Sequence, residues 1–497
     1  MNAKRVVSAA FSSLFALCVG AREPDVSGLR SWTFPDYTVV THDPQAVGWI
    51  AQRTAIVDQL LVKLLDIEKR STATPTYIYV VRKSLWQDYL QVSDAMGSQF
   101  VPTRFANYLL IGAPRDEFSV TGAVAHEYAH HFLHTQFHGG FPLWFDEGLA
   151  TLVSFTEVRL DNVKVNHPYF GDYLARRIPM ERLLRIDRSS PEYLSLPTTS
   201  GIHEQSWAMV HKGLIADLSF GSRMFAYLKA VDDGRPIDDA VAGSFLMSVP
   251  ELDAEIFRYL HQPTFAHAEF SYRPRPFKLG AGRKLDEREA LEMLATVMLD
   301  TGLHAAQLAE VVDAAQNRAP GAASVQVLKM RMAARARDDA ALATLLHGLG
   351  QETPRAAIAR GAGLALFERV RDEHAADSPS AAQRHAWSAQ ALEMLDRSLA
   401  ANPDDVEAAW SFGVLSAPLK RDPDLALQRL QRASTLMPEN ADLARAKFEV
   451  TETSGRSGQN LHLLKQIAAF TSSTAERQWA KQRIASETAG PQTPPTN

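Results

Sequence analysis

The chain has 497 residues, 46% of them hydrophobic and 22% charged, with a formal net charge of −5. That length is too great for one core, so two or three domains are expected, and the slight acidic excess leaves no basic footprint for nucleic acid. Cys18 is the only cysteine; it sits in the N-terminal leader, so a mature chain has neither disulfides nor thiolate metal sites.

Met1–Arg5 supplies a positive start, Val6–Cys18 an apolar run and Val19-Gly20-Ala21 a small-residue cleavage site. This is the pattern of a secretory signal peptide over residues 1–21. The apolar run is short for a membrane anchor, and Leu17 is too large to precede a lipidated cysteine. No later stretch approaches 18 consecutive apolar residues, so no transmembrane helix is expected in the mature chain. An Ala- and Arg-rich chain exported without disulfides reads as bacterial, periplasmic or secreted.

Residues 22–35 form a loose lead-in, and Tyr37–Thr41 a short β-type run. Asp43-Pro44 provides an N-cap followed by proline at the first helical position. Val47, Ile50, Thr54, Val57, Leu61 and Leu65 then recur at helical spacing, which predicts a long helix over 44–68. Thr76–Val81 is β-branched and aromatic and predicts a strand. A helix around Lys83–Leu90 and a strand at Asn107–Ile111 follow.

Ser119–His134 reads as one helix, with Ser119 or Thr121 as its N-cap. It carries His126-Glu127-x-x-His130. Positions four apart share a helix face, so both imidazoles can reach one Zn²⁺, and Glu127 can take a proton from a water on that ion. His134 lies about 12 Å from His126 along the helix and is too far to join them. A metzincin extension would need Gly and His where Leu133 and Gln136 stand. After the break His138–Pro142, the apolar segment Leu143–Ala150 folds back, which points Glu147 into the same space as a third ligand. Asp146 is a neighbouring or solvated carboxylate. His131, His134, His138 and His211 are packing or surface residues, and Trp144 and Trp207 are core.

Glu157–Val165 predicts a hairpin, and Pro179–Leu260 is mostly helical, broken by a Ser/Pro/Thr-rich loop at Asp187–Ser200. Residues 270–284, rich in Arg, Pro and Gly, read as a linker, which sets a first domain at 22–269. Beyond Leu285 no convincing strand remains. Pro320 and Pro354 lie 34 apart, Pro403 and Pro438 lie 35 apart, and the clearest unit runs Ala409-Trp-Ser-Phe412-Gly413, Ala426, Ala433, Pro438. This period resembles the tetratricopeptide (TPR) repeat, in degenerate form and with an insertion around Asp372–Ser380. An α-solenoid over 285–485 is expected, its concave face binding an extended partner or merely covering the first domain. A disordered tail, 486–497, would close the chain.

H-E-x-x-H followed by Trp144-x-x-Glu147-Gly148-x-Ala150 resembles the gluzincin metallopeptidases, and especially the aminopeptidase-N-like motif block. It also resembles bacterial secreted gluzincin-like proteins that carry helical-repeat tails. The likeness is dense over Ala123–Val153 and extends over roughly 35–265. It implies an α+β zincin-like domain ahead of the all-α repeats, one zinc ion on His126, His130 and Glu147, and Glu127 as general base for peptide hydrolysis. It also implies that Asn107–Ile111 is an edge strand for an extended substrate, although an ordinary core strand suits the same residues. No G-x-M-E-N stretch precedes the motif, which favours an endopeptidase. Where the family places a tyrosine for the oxyanion, about 56 residues past Glu147, this chain has His203, with Tyr193, Tyr169 and Tyr173 as rivals. The resulting expectation is an exported zinc endopeptidase whose repeats bind substrate or a protein partner. The alternatives are a repeat-based binding or scaffold protein with a structural or degenerate zinc site, and a zinc hydrolase acting on a non-peptide bond.

Overall fold

The computed structural model describes residues 23–91, 97–112, 117–137, 140–159, 161–165, 177–274, 278–349, 355–371, 379–456, 458 and 460–488. The expected signal peptide, the tail beyond 488, and Tyr169, Tyr173 and His138 lie outside them.

The first half opens with Arg30–Thr33 (β1), Thr38–Thr41 (β2), Pro44–Leu65 (α1), Thr76–Val81 (β3) and Lys83–Leu85 (α2), the last continuing as a π-turn over Trp86–Leu90. Ser98–Pro102 (β4), Asn107–Gly112 (β5), Glu117–Phe137 (α3) and Leu143–Ser154 (α4) follow. Then come Thr156–Val158 (β6), Asn162–Val165 (β7), Met180–Leu183 (α5) and Leu196–His211 (α6), which runs into a π-turn. Leu218–Asp232 (α7), Ile237–Phe245 (α8), Val249–Leu260 (α9), Ala268–Ser271 (β8) and Arg283–Lys284 (β9) complete this part.

Six strands pair in the order β4-β5-β3-β2-β1-β9, with β2, β3 and β5 parallel and the remaining pairs antiparallel. Strands alternate their side chains between faces, and here both faces are covered. Val39, Ile78, Val80, Leu109 and Ile111 pack against α1 and α3, whereas Val40, Tyr79, Val81, Tyr108 and Leu110 belong to a second core. Burial on both sides is why Thr76–Val81 reads as a continuous apolar run. Asn107–Gly112 is an interior strand rather than the edge. The edge on that side is β4, which the sequence reading missed because it is short and ends in Pro102.

The second core is completed by Glu287–Thr301 (α10) and Ala305–Arg318 (α11), which bring Leu291, Leu294, Met298, Val311 and Val312 onto the sheet. The stretch between β8 and β9 is pinned to β1: Trp32 donates to the Gly280 carbonyl at 3.0 Å and Arg30 to that of Ala281 at 2.7 Å. Gly282 sits at φ +70°, and a Cβ there would lie 2.3 Å from the Trp32 ring, so only glycine closes this turn.

From α10 onward the described residues are helical: Ala323–Arg335 (α12), Asp339–His347 (α13), Ala356–Arg371 (α14), Ala381–Ala401 (α15), Val406–Leu419 (α16), Pro423–Leu436 (α17), Ala441–Thr453 (α18), Asn460–Phe470 (α19) and Thr474–Thr488 (α20). Pro320, Pro403 and Pro438 fall between helices as the repeat period requires. The array leaves the sheet at α10 and returns to the same body at its far end. There Asn440 donates to the Arg104 carbonyl at 3.1 Å, Arg104 pairs with Asp442 at 2.9 Å, and Arg477 pairs with Asp232.

Arg53 ties α1 to the end of α4. It is 5% exposed and donates to the carbonyls of Val153 at 3.1 Å, Ser154 at 3.0 Å and Thr156 at 3.3 Å. A guanidinium at a helix C-terminus meets the negative end of the dipole as well as open carbonyls. Arg53→Leu leaves those acceptors unpaired, and a loss of about 2–3 kcal/mol in urea unfolding is expected. A change below about 0.5 kcal/mol would mean water satisfies them equally well.

Candidate functional site

α3 carries His126 and His130 on one face, their ring centroids 4.9 Å apart and nearly perpendicular. α4 turns back beside it and buries Glu147 completely. The third contributor arrives through Gly148. A Cβ there would lie 2.4 Å from the Ser206 carbonyl oxygen, so α6 can approach α4 only against a glycine. That approach delivers His203, one turn before Ser206 on α6.

Three imidazoles surround one carboxylate oxygen. Glu147 Oε2 lies 3.0 Å from His203 Nε2, 3.2 Å from His126 Nε2 and 3.6 Å from His130 Nε2. Ligand atoms of His126, Glu147 and His203 all lie within 4.8 Å of one another. The other oxygen, Oε1, accepts from the Tyr193 hydroxyl at 2.6 Å. His130 turns its second nitrogen to Asp146 at 2.7 Å, and Arg188 donates to the other oxygen of Asp146 at 2.6 Å. This chain of contacts fixes the ring of His130 and leaves its Nε2 facing the cluster.

The electrostatics follow from crowding charge in a buried place. Burial opposes ionisation of Glu147, but His130 and the hydrogen bonds from His126, His130 and His203 hold its carboxyl well below the usual range. Burial likewise opposes charge on His130, yet Asp146 and Glu147 override it and lift this imidazole to about 10. Asp146 is lowered by His130 and Arg188 against the pull of burial. Burial, then Glu147, pushes the Tyr193 phenol up. Two carboxylates thus demand a positive charge at the centre, which a proton or a bound cation can supply.

The structure brings His126, His130 and Glu147 together as the sequence reading expected, and it adds His203 to them. His203, expected to face an oxyanion, lies as near the Glu147 oxygen as the two motif histidines. Glu127 is 4% exposed and accepts from Ser98 on β4 at 2.7 Å. His131 is buried against Tyr128 and Phe100, and Trp144 and Trp207 are core, as expected. Sequence reasoning missed Arg188, and it weighed Tyr193 only as an oxyanion donor. Their one signal was the polar loop between α5 and α6.

A groove of about 1290 Å³ lies between the sheet and the repeats. One wall is Tyr77, stacked on Tyr108 at 5.6 Å, and Phe105, which meets Trp410 of α16 edge-on at 5.4 Å. Arg104 covers the Trp410 ring at 4.2 Å. Across it, Asp300 of α10 accepts from Tyr108 at 2.7 Å and from Arg331 at 3.1 Å, while Arg360 reaches Glu407 at 2.7 Å. Seven arginines and seven carboxylates line the groove in all, so it carries no net field for a polyanion.

No protein-family model and no curated protein matches this chain. Among solved structures it is similar to the thermophilic TPR protein TTC0263 of Thermus thermophilus, at 16% identity and TM-score 0.30, over 41% of this chain and 99% of that one. It is similar to YrrB, described as a TPR protein with an unusual peptide-binding site, at 15% identity and TM-score 0.29, over 39% and 92%. It is also similar to pilF of Pseudomonas aeruginosa, at 13% identity and TM-score 0.30, over 41% and 93%.

The run of helices from α10 to α20 is the helical-repeat part of the expected fold. The gluzincin resemblance, the zincin-like assignment of the first domain, and the hydrolase and metallopeptidase activity drawn from them find no match in any family model or curated protein and are withdrawn. Among the described residues, no helix is long and apolar enough to cross a membrane.

Proposed function

We propose that this chain is a repeat-based binding or scaffold protein, exported by its leader to the periplasm or beyond. Its recognition surface is the groove between sheet and repeats, and its His/Glu cluster carries a structural zinc ion. The groove carries this reading. At about 1290 Å³ it exceeds the roughly 300–1,000 Å³ of ordinary small-molecule pockets. Its wall is built from Tyr77 and Phe105, rigid rings that offer contact area at little cost in side-chain entropy, with Trp410 buried behind Phe105 and Arg104. Arginines and carboxylates in equal number suit the mixed polarity of a polypeptide. The occupant is an extended peptide segment, laid along the aromatic wall with its polar groups toward the charged repeat face.

The zinc part rests on the donor set. Three imidazoles and one carboxylate suit Zn²⁺ and its neighbours in the first transition row, whereas the oxygen-rich shell that Ca²⁺ or Mg²⁺ requires is not provided by these side chains. When bound, the ion would supply cross-linking of helices. Asp146 would orient His130, and Tyr193 would hold Glu147.

A random-peptide display library screened against the full chain tests the groove. Selected peptides should bind in the micromolar range, and Tyr77→Ala should weaken them about tenfold, roughly the 1.4 kcal/mol of one aromatic contact. Tyr77 is only half-buried, so the fold should tolerate the change. Peptides that bind equally well to the variant, or no selection at all, would place recognition elsewhere.

A further inference from the structure

We infer that the peptide in the groove is held by its free N-terminus, which passes beyond Arg104 into an acidic chamber and is received there by Asn107. This rests on reading the groove as a peptide site, and it names the end of the peptide that the site requires.

The chamber, about 500 Å³, lies where the far end of the repeats returns to the sheet. Ala73, Thr103, Arg104 and Met437 line both it and the groove, so the two spaces adjoin. Its walls favour a cation. Among the described residues that line it, Glu439, Asp442 and Glu476 stand against one guanidinium, Arg104, and one imidazole, His134. Arg104 answers Asp442 at 2.9 Å and Arg70 answers Glu439 at 3.3 Å, whereas Glu476 accepts from the Thr471 hydroxyl at 2.6 Å. α3, α17 and α19 end at the chamber, and α18 and α20 begin there. Three negative helix ends thus meet two positive ones, and those two already carry Asp442 and Glu476 in their first turns.

Asn107 makes the chamber selective. It opens β5, is 1% exposed and lines the chamber. It shares a sheet face with Leu109 and Ile111, the face on which α3 packs. Its amide oxygen and nitrogen are both buried, with no hydrogen-bond partner among the described residues. An unpaired buried amide is costly, so a ligand that satisfies both atoms gains affinity from it. The amide sets an acceptor beside a donor. The first residue of a peptide offers the complement, an ammonium that donates and a carbonyl that accepts. A lysine side chain matches only the acceptor. An internal residue offers N–H and C=O but no charge for the carboxylates.

Peptides selected on the full chain, synthesised with free and with acetylated N-termini, test this by calorimetric titration. Acetylation should weaken binding by about tenfold or more, and changing a lysine of the peptide to glutamine should alter it by less than about twofold. Asn107→Leu, which removes the amide at nearly constant shape, should bind both forms alike and as weakly as the wild type binds the acetylated one. Equal affinity of the two forms for the wild type would overturn the inference and leave the groove reading standing. Sensitivity to lysine instead of to the terminus would overturn it too, by giving the chamber to a side chain. Failure to select any peptide would overturn the groove reading, and this inference with it. The acetylation comparison on the wild type decides the matter even where Asn107→Leu does not fold.

Discussion

Gly148→Val is expected to destabilise the protein by about 3–5 kcal/mol, more than the ~1–3 kcal/mol usual for overpacking. The obstacle is backbone rather than a side chain that can swing away. A Cβ at 148 meets the Ser206 carbonyl oxygen at 2.4 Å, its carbon at 2.7 Å and Val210 Cγ2 at 2.7 Å. α4 and α6 must part, and the neighbours that part with them include fully buried Trp144 and Trp207. Denaturant unfolding measures the loss, and a value under about 1 kcal/mol would mean that the helices slide at little cost. The same shift draws His203 away from Glu147, so metal retention should fall in parallel. Gly148→Ala, with one methyl, should show a smaller version of both effects.

Glu147→Ala should reduce zinc from one equivalent per chain to below about a tenth of that after gel filtration, since losing a ligand costs more than the roughly 10–100-fold penalty for losing an outer partner. The carboxylate oxygen is the common neighbour of three imidazoles, and without it three neutral histidines hold a dication with no compensating charge. Asp146→Asn, which touches the cluster only through the second nitrogen of His130, should stay within that 10–100-fold range. Elemental analysis of both variants beside the wild type separates them. Full zinc in Glu147→Ala would show that the histidines alone suffice and that the carboxylate only neutralises them.

Much of this arrangement was legible in the sequence, and the exceptions share a cause. Asp43-Pro44 announced α1, with Asp43 accepting from the Gln45 amide at 2.9 Å. Thr76–Val81 announced β3 residue for residue, and the four-residue spacing of His126 and His130 put both on one face. Each depends on neighbours along the chain. β4 escaped because Ser98–Pro102 is a brief stretch whose strand character comes from pairing with β5. His203 was found by its separation from Glu147, but its relation to that carboxylate is set by how closely α6 can pass α4. That approach is a property of Gly148 and Ser206 together. Asp187–Ser200 was read as a loop, yet nothing local says that Arg188 and Tyr193 turn inward to bond Asp146 and Glu147.

The repeat array is anchored at both ends. A solenoid with one free end is a spring whose pitch a ligand can change; here α10 is buried on the sheet while Asp442 and Arg477 fasten the far helices to Arg104 and Asp232. The bow is strung, and its curvature belongs to the whole molecule. The string is electrostatic and half in water at the Arg104–Asp442 contact, with 35% and 42% of those side chains exposed. At 1 M salt the screening length falls to about 3 Å, so that fastening slackens while the apolar anchor holds.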